Sequence, residues 1–264
     1  MRQSRRHFVD ARSDCSEKQW VWRQVWRDVL FLHWRVDAGA IETHVPPALT
    51  IDALDGDAWV SLVLFRLQVT PIGWPPVPGF SSLVEANLRT YVRLDDQPGI
   101  YFFSIHADNL AALTLARLLT PLPYRWAGID YEAGRSDCHC RLRRAAVPGC
   151  ELTLSADYPE CGGPQLREQQ TWLLERYRAF AVRNHRLSAS QLQTATVDHL
   201  PWSVQPAALQ VQANTLGRAV GLDLHRPPDD AHFCRELPAR FSRFVPCGDF
   251  KTHAAATSRE NQPA

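Results

Sequence analysis

Glu85, Asn87, Arg89, Tyr91 and Arg93 occupy every second position of one segment, with Ala86, Leu88, Thr90, Val92 and Leu94 between them. A period of two puts the first set on one face of a strand and the second set on the other. Carboxylate, amide, guanidinium and phenol then stand in line. Arg89 in such a line can hold a ligand carboxylate through two parallel hydrogen bonds, and Glu85 can give or take a proton. The same alternation also describes a strand with one solvated face, the commoner use of a polar stripe. On pattern alone both readings stand.

The next apolar run, Gly99–His106, adds Tyr101 and ends in His106, which can titrate at a pocket mouth or serve as a hydrogen-bonded structural histidine. Asp108 or Asn109 is placed to cap the helix that follows. Cys138-His139-Cys140 is the one cluster that invites a zinc or thiol reading. No second C-x-x-C and no helix-borne histidine pair accompanies it, and alternation turns both thiols and Leu142 toward a core, so no metal site is assigned. Cys161 before Gly162-Gly163 is a loop thiol with no identifiable histidine partner. There is no phosphate loop, no G-x-G-x-x-G after a strand, no H-E-x-x-H and no G-x-S-x-G, and nothing requires a cofactor.

The elements that must position these groups are mostly strands. Val29–Val36 is apolar on both faces, and Asp37 opens a short helix ending before Pro46-Pro47. Leu49–Leu54 and Ala58–Val69 flank Asp55-Gly56, a strong hairpin signal, and the second run is apolar enough for a central strand. Strands over 84–94 and 99–107 follow, then a helix over Asn109–Thr120 closed by Pro121. Further strands are predicted at 124–132, 137–144, 151–158, 177–183, 193–199, 207–213, 232–236 and 239–246, with a helix over 168–176. Strand–helix alternation is missing, so the expected fold is mainly antiparallel α+β, barrel-like, in one domain over 19–250 between polar tails at 1–18 and 251–264.

Composition narrows the partners. The 264 residues carry 29 Lys+Arg against 28 Asp+Glu, a net charge of +1, which gives no pull toward nucleic acid or anionic lipid. No apolar run reaches the roughly 18–20 residues of a membrane span, and the basic N-terminus lacks a signal-peptide core. Seven cysteines without recurring spacing suit reduced thiols, so a cytoplasmic location is expected. Only Lys18 and Lys251 are lysine.

Several ordered blocks carry a resemblance. Glu85-x-Asn87-x-Arg89-Thr90-Tyr91-Val92, Gly99-Ile-Tyr101-Phe-Phe-Ser104 and Leu122-Pro-Tyr-Arg-Trp126 resemble the YqjF-like family of uncharacterised bacterial proteins. So do Phe31-Leu-His-Trp-Arg-Val36, the Pro46-Pro47 break, the Asp55-Gly56 turn and Pro201-Trp202-x-x-Gln205-Pro206. That family is fold-related to acetoacetate decarboxylase, so the resemblance implies an antiparallel β-barrel or cone with a few flanking helices and an interior ligand cavity. It also implies that Glu85 matches a pocket glutamate and Arg27 the pocket arginine. Where the decarboxylase lysine would fall, the chain reads Ala107-Asp-Asn-Leu-Ala-Ala112, and the second glutamate is replaced within Trp59-Val-Ser-Leu62. The cavity is expected without the Schiff-base chemistry.

Three functions follow. One is a binding module whose cavity takes a small, partly apolar anionic ligand on Arg27, Asn87, Arg89, Tyr91, Tyr101 and His106. The second is a lysine-independent enzyme using Glu85 as general acid or base. The third is a protein-interaction domain using Trp74 and its proline loop, which requires that ring to be exposed. A strongly raised Glu85 pKa would favour the enzyme, and a Glu85 locked in an ion pair with Arg89 the binder.

Overall fold

The structure is a computed structural model and describes residues 20–160, 166–182 and 191–248. The expected tails, Cys161, both lysines and the end of the 177–183 strand lie outside the described residues. The chain opens with β1 (Trp20–Val36), α1 (Ala38–Glu42), β2 (Thr50–Ile51), β3 (Ala58–Pro71), β4 (Ser82–Leu94) and β5 (Gln97–Ala107). It continues through α2 (Leu110–Leu119), β6 (Tyr124–Trp126), β7 (Gly128–Ala133), β8 (Asp137–Arg143) and β9 (Glu151–Asp157). After α3 (Glu168–Leu174) come β10 (Arg178–Val182), β11 (Leu192–His199), β12 (Gln205–Pro206), β13 (Ala208–Asn214), β14 (Asp230–Ser242) and β15 (Val245–Pro246).

Seven strands close on themselves in the order β14-β1-β3-β4-β5-β10-β11, with β11 returning to β14. Every join in this ring is antiparallel except β5–β10. The fold is therefore mainly antiparallel and cone- or barrel-like, as the alternation predicts. A second sheet of four strands, in the order β13-β9-β8-β7, lies against the outside of the ring. Its buried stripe (Tyr131, Cys138, Cys140, Leu142, Leu152, Leu154) meets Leu30, Leu32, Trp34, Leu62, Leu64, Ala86 and Leu88. The inner face of the ring carries Val29, Phe31, Val63, Phe65, Tyr91, Ile100 and Phe102 and is covered by Leu113 of α2, Leu173 and Leu174 of α3, and Trp202. Both faces of β1, β3 and β5 are thus buried, which is why they read as apolar without alternation.

Three local expectations change. The strand expected over 124–132 divides into β6, paired with β5, and β7 of the four-stranded sheet. The Asp55-Gly56 turn forms, with φ of 55° and 90°, but it closes only a Leu54–Asp57 bridge. The strand before it, β2, pairs with β4 because both edges of β3 are already taken by β1 and β4. The two runs at 232–236 and 239–246 are mostly one strand, β14, which carries Pro238 within its pairing to β1. Asn109 caps α2, accepting the Ala112 N–H at 3.1 Å.

The parallel join that closes the ring depends on one glycine. A Cβ on Gly99 would stand 2.7 Å from the Phe180 ring and 2.8 Å from the Arg178 carbonyl. Gly99→Ala is expected to cost about 1–3 kcal/mol, typical of overpacking, as a lower melting temperature by calorimetry. An unchanged temperature would mean that β5 and β10 are less closely apposed.

Candidate functional site

Register across the ring aligns the side chains of the inner face in rows. Asp230, His33, Ser61, Arg89 and Phe102 are successive partners on β14, β1, β3, β4 and β5. The next row is His232, Phe31, Val63, Asn87 and Ile105, and the one after it includes Phe65, Glu85 and Ala107. Four polar or ionisable groups therefore stand side by side beneath a covering of apolar groups. Asn87 and Tyr91 are buried and Glu85 is 3% exposed, while Arg89 keeps part of its surface open. The polar stripe of β4 faces the interior of the ring.

Within the first row the contacts are short. His33 Nδ1 lies 2.6 Å from Ser61 Oγ, which lies 2.6 Å from the Tyr91 hydroxyl. Tyr91 also reaches His33 Nδ1 at 3.2 Å and hydrogen-bonds Arg89. Burial, then the neighbouring His232 and Arg89, hold His33 well below the usual histidine range, so its ring is neutral. His232 contacts Gln170 of α3 at 2.9 Å, and Trp172 of the same helix packs on Tyr91. Nearby, Arg176 is paired with Asp52 at 2.6 Å and lies over Trp172.

Arg89 differs from Arg176. No carboxylate of the described residues lies in ion-pair distance of it, its guanidinium rests 5.7 Å from the Phe31 ring, and burial lowers its pKa. Buried atoms without a partner cluster along the rows: His33 Nε2, Asn87 Oδ1, Arg89 Nε and His232 Nδ1. A packed interior rarely leaves several polar atoms unpaired together unless water or a ligand completes them.

Glu85 sits deeper along β4. Tyr124 donates to its Oε1 at 3.0 Å. Burial pushes the carboxyl up to about 7, while the bonds from Tyr124 and Asn87 pull the other way and Asp108 adds a small push upward.

Three residues anticipated for the site lie elsewhere. Arg27 is exposed and paired with Glu236 at 2.7 Å. A β-bulge at Asp28, with φ of 53°, switches the parity of β1, so that Trp26 faces inward in its place. Tyr101 pairs with Thr90 and packs on Phe103 in the outer core, and His106 pairs with Ala86 on that same outer face. Conversely, His33, Ser61, Tyr124, Gln170 and His232 join the interior and were not singled out from the sequence. Parity marks His33 and Ser61 as inward once β1 and β3 are set in register with β4, but register is a tertiary property.

The other motifs resolve plainly. Cys138 and Cys140 are buried in the outer core, with thiols pushed up to about 11 and about 12 mainly by burial, and no metal-binding group occurs among the described residues. Trp74 is 66% exposed beside Ile72, Val77 and Phe80, meeting the condition of an interaction surface. No helix among the described residues is long and apolar enough to cross a membrane.

Residues 23–238 match the DUF2071 family of uncharacterized conserved proteins. The chain belongs to that family. This DUF2071 protein is 33% identical over 226 residues to the uncharacterized protein YqjF of Bacillus subtilis, covering 84% of this chain and 90% of the relative. It is also 25% identical over 224 residues to an acetoacetate decarboxylase of Streptomyces nogalater, covering 83% and 86%. Its fold resembles that of the enduracididine biosynthesis enzyme MppR, solved with the condensation product of pyruvate and imidazole 4-carboxaldehyde. The TM-score is 0.62 at 14% identity, covering 85% and 88%. The acetoacetate decarboxylase of Legionella pneumophila matches with a TM-score of 0.60 at 14% identity, covering 90% and 93%. The DUF2071 chain thus shares the acetoacetate decarboxylase-like fold.

Proposed function

We propose that the ring interior takes a small, partly apolar carboxylic acid and that the protein is a lysine-independent enzyme acting on it by proton transfer. The observation that carries this reading is Arg89, a guanidinium set among buried polar groups with no carboxylate of the described chain to neutralise it. An external carboxylate supplies that charge through a bidentate pair. In the bonding order that satisfies most groups, Tyr91 donates to Ser61 and Ser61 to His33 Nδ1, which frees His33 Nε2–H for a ligand oxygen. Ser61 is fully buried and committed to both neighbours, so it relays rather than attacks.

Phe31, Val63 and Ile105 of the adjoining row suit an apolar ligand body. Glu85 lies four residues from Arg89, roughly 13 Å along the strand with Asn87 between them, so the long Arg89 side chain must lean toward Glu85 for one small ligand to meet both. A carboxyl with a pKa of about 7 both holds and releases a proton near neutrality, the condition for general acid–base work. The binding-only reading is weaker because Glu85 is not ion-paired to Arg89. The pyruvate-derived ligand of MppR and the decarboxylase relatives make small keto acids the first compounds to try.

The test is a titration of pyruvate, acetoacetate and acetate against the full chain, followed by thermal unfolding. A saturable rise with one of the keto acids is expected, since a ligand bound only to the native state stabilises it by mass action. Flat responses to all three overturn the ligand class. Borohydride added to the same mixtures is expected to leave the intact mass unchanged, because arginine cannot form an imine and no described residue is lysine. A trapped adduct on Lys18 or Lys251 would instead show Schiff-base chemistry.

A further inference from the structure

A second group of unpaired polar atoms lies on the opposite face of β5. His106 and Arg125 are register partners across the parallel β5–β6 join, so their side chains stand together on the outer face. Arg117 of α2 donates through Nε and Nη2 to the Tyr124 carbonyl, one residue before Arg125. Arg144 follows β8, in the turn closed by its N–H to the Cys150 carbonyl at 3.0 Å. The β7–β8 register pairs Gly128 with Arg143 and so brings Arg144 level with Ala127, two residues from Arg125. The charges of Arg144 and Arg117 act on Arg125, and those of Arg144 and Arg125 on His106. None of the three arginines has a carboxylate in ion-pair distance among the described residues.

The unpaired atoms here are His106 Nδ1, Arg125 Nε and Arg144 Nε, three buried atoms from β5, β6 and the turn after β8. His106 is 2% exposed, while Arg125 and Arg144 are half-buried and open to solvent on one side. Two half-buried guanidiniums beside a buried neutral imidazole, with the exposed Arg117 at the rim, concentrate positive charge at this seam. Water can satisfy an N–H, but only an anion cancels the repulsion.

We propose that His106, Arg117, Arg125 and Arg144 form a second binding site, for a phosphoryl group, at the seam between the ring and the four-stranded sheet. The guanidinium forks match phosphoryl oxygens bidentately. The His106 ring bonds the Ala86 backbone and leaves Nδ1 unpaired at the site, where a water can bridge it to a phosphoryl oxygen. The site faces away from the Glu85–Arg89 row and does not depend on the function proposed for it.

The experiment titrates inorganic phosphate and phenyl phosphate against the full chain at constant ionic strength set with sodium chloride, following thermal unfolding and the phosphorus NMR linewidth. Saturable stabilisation and broadening are expected, weakened roughly tenfold or more in Arg144→Gln, as for a lost charged hydrogen bond. The response should persist in Arg143→Gln, an exposed arginine paired with Glu151. A response to phenyl phosphate alone identifies an ester-borne phosphoryl group, and an equal response to both identifies the free anion; each supports the site. Arg117→Gln, on an exposed side chain, repeats the test should Arg144→Gln not fold. No response beyond chloride, or a response unchanged in the folded variants, overturns the proposal.

Discussion

Arg89→Met is expected to abolish the keto-acid response and, without ligand, to raise the melting temperature. The two effects have one origin. Arg89 is partly buried beside neutral His33, over Phe31, with no carboxylate among the described residues and its Nε unpaired. Methionine keeps the unbranched stem as far as the Nε position and removes the unpaired charge, whose desolvation opposes folding. A gain of about 1–2 kcal/mol corresponds to a few degrees for a chain of this size. Truncating one member of a desolvated charge pair costs about 2–5 kcal/mol in binding, so affinity should fall roughly a hundredfold or more. Arg89→Lys keeps the charge without the planar fork and should recover only part of it. A variant that melts lower and still binds would make Arg89 a structural residue and end the ligand reading.

Replacing Glu85 by glutamine is expected to remove the part of the pH dependence of stability in which stability falls as pH rises from about 4.5 to about 7. In the wild type the carboxyl moves from an ordinary 4.5 to about 7 on folding, chiefly through burial. Between those values the native state binds the extra proton, so stability falls as pH rises. The stabilisation is fully present below about 4.5 and lost by the time pH has passed about 7. A shift of this size is worth about 3 kcal/mol. Denaturant unfolding at pH 4.5 and at pH 8 should show the stability difference between wild type and Glu85→Gln shifting by that amount in favour of the variant toward pH 8, since the buried neutral histidines titrate alike in both. Tyr124→Phe removes a bond that favours the charged carboxylate, so it should move the wild-type midpoint upward. If wild type and Glu85→Gln respond identically, the carboxyl is solvated and cannot serve as a proton donor near neutrality. Loss of turnover in Glu85→Gln with keto-acid binding retained would separate catalysis from binding.

What was legible in the sequence follows from local periodicity. The alternation of β4 assigns Glu85, Asn87, Arg89 and Tyr91 to one face, the two-sided apolarity of β3 and β5 makes them central, and a cap at Asp108 or Asn109 and Pro121 bound α2, the structure choosing Asn109. The missing strand–helix alternation already disfavours a doubly wound sheet. The scarcity of lysine is a property of composition, independent of fold.

Whether the polar face is inside the ring was not legible, because a solvated stripe and an enclosed one have the same period. The neighbours of Arg89 in its row were equally hidden. His33, Ser61 and Asp230 come from strands tens of residues or more away and reach its row only through the registers of β1–β3, β3–β4 and β14–β1. A single bulge at Asp28 removes Arg27 from the site, and the β4–β5 register puts Tyr101 and His106 on the outer face. The residue types and their parity were set by the chain itself. Which of them meet was decided by strand register and ring closure, since a shift of one residue exchanges the two faces of a strand while leaving its sequence pattern untouched.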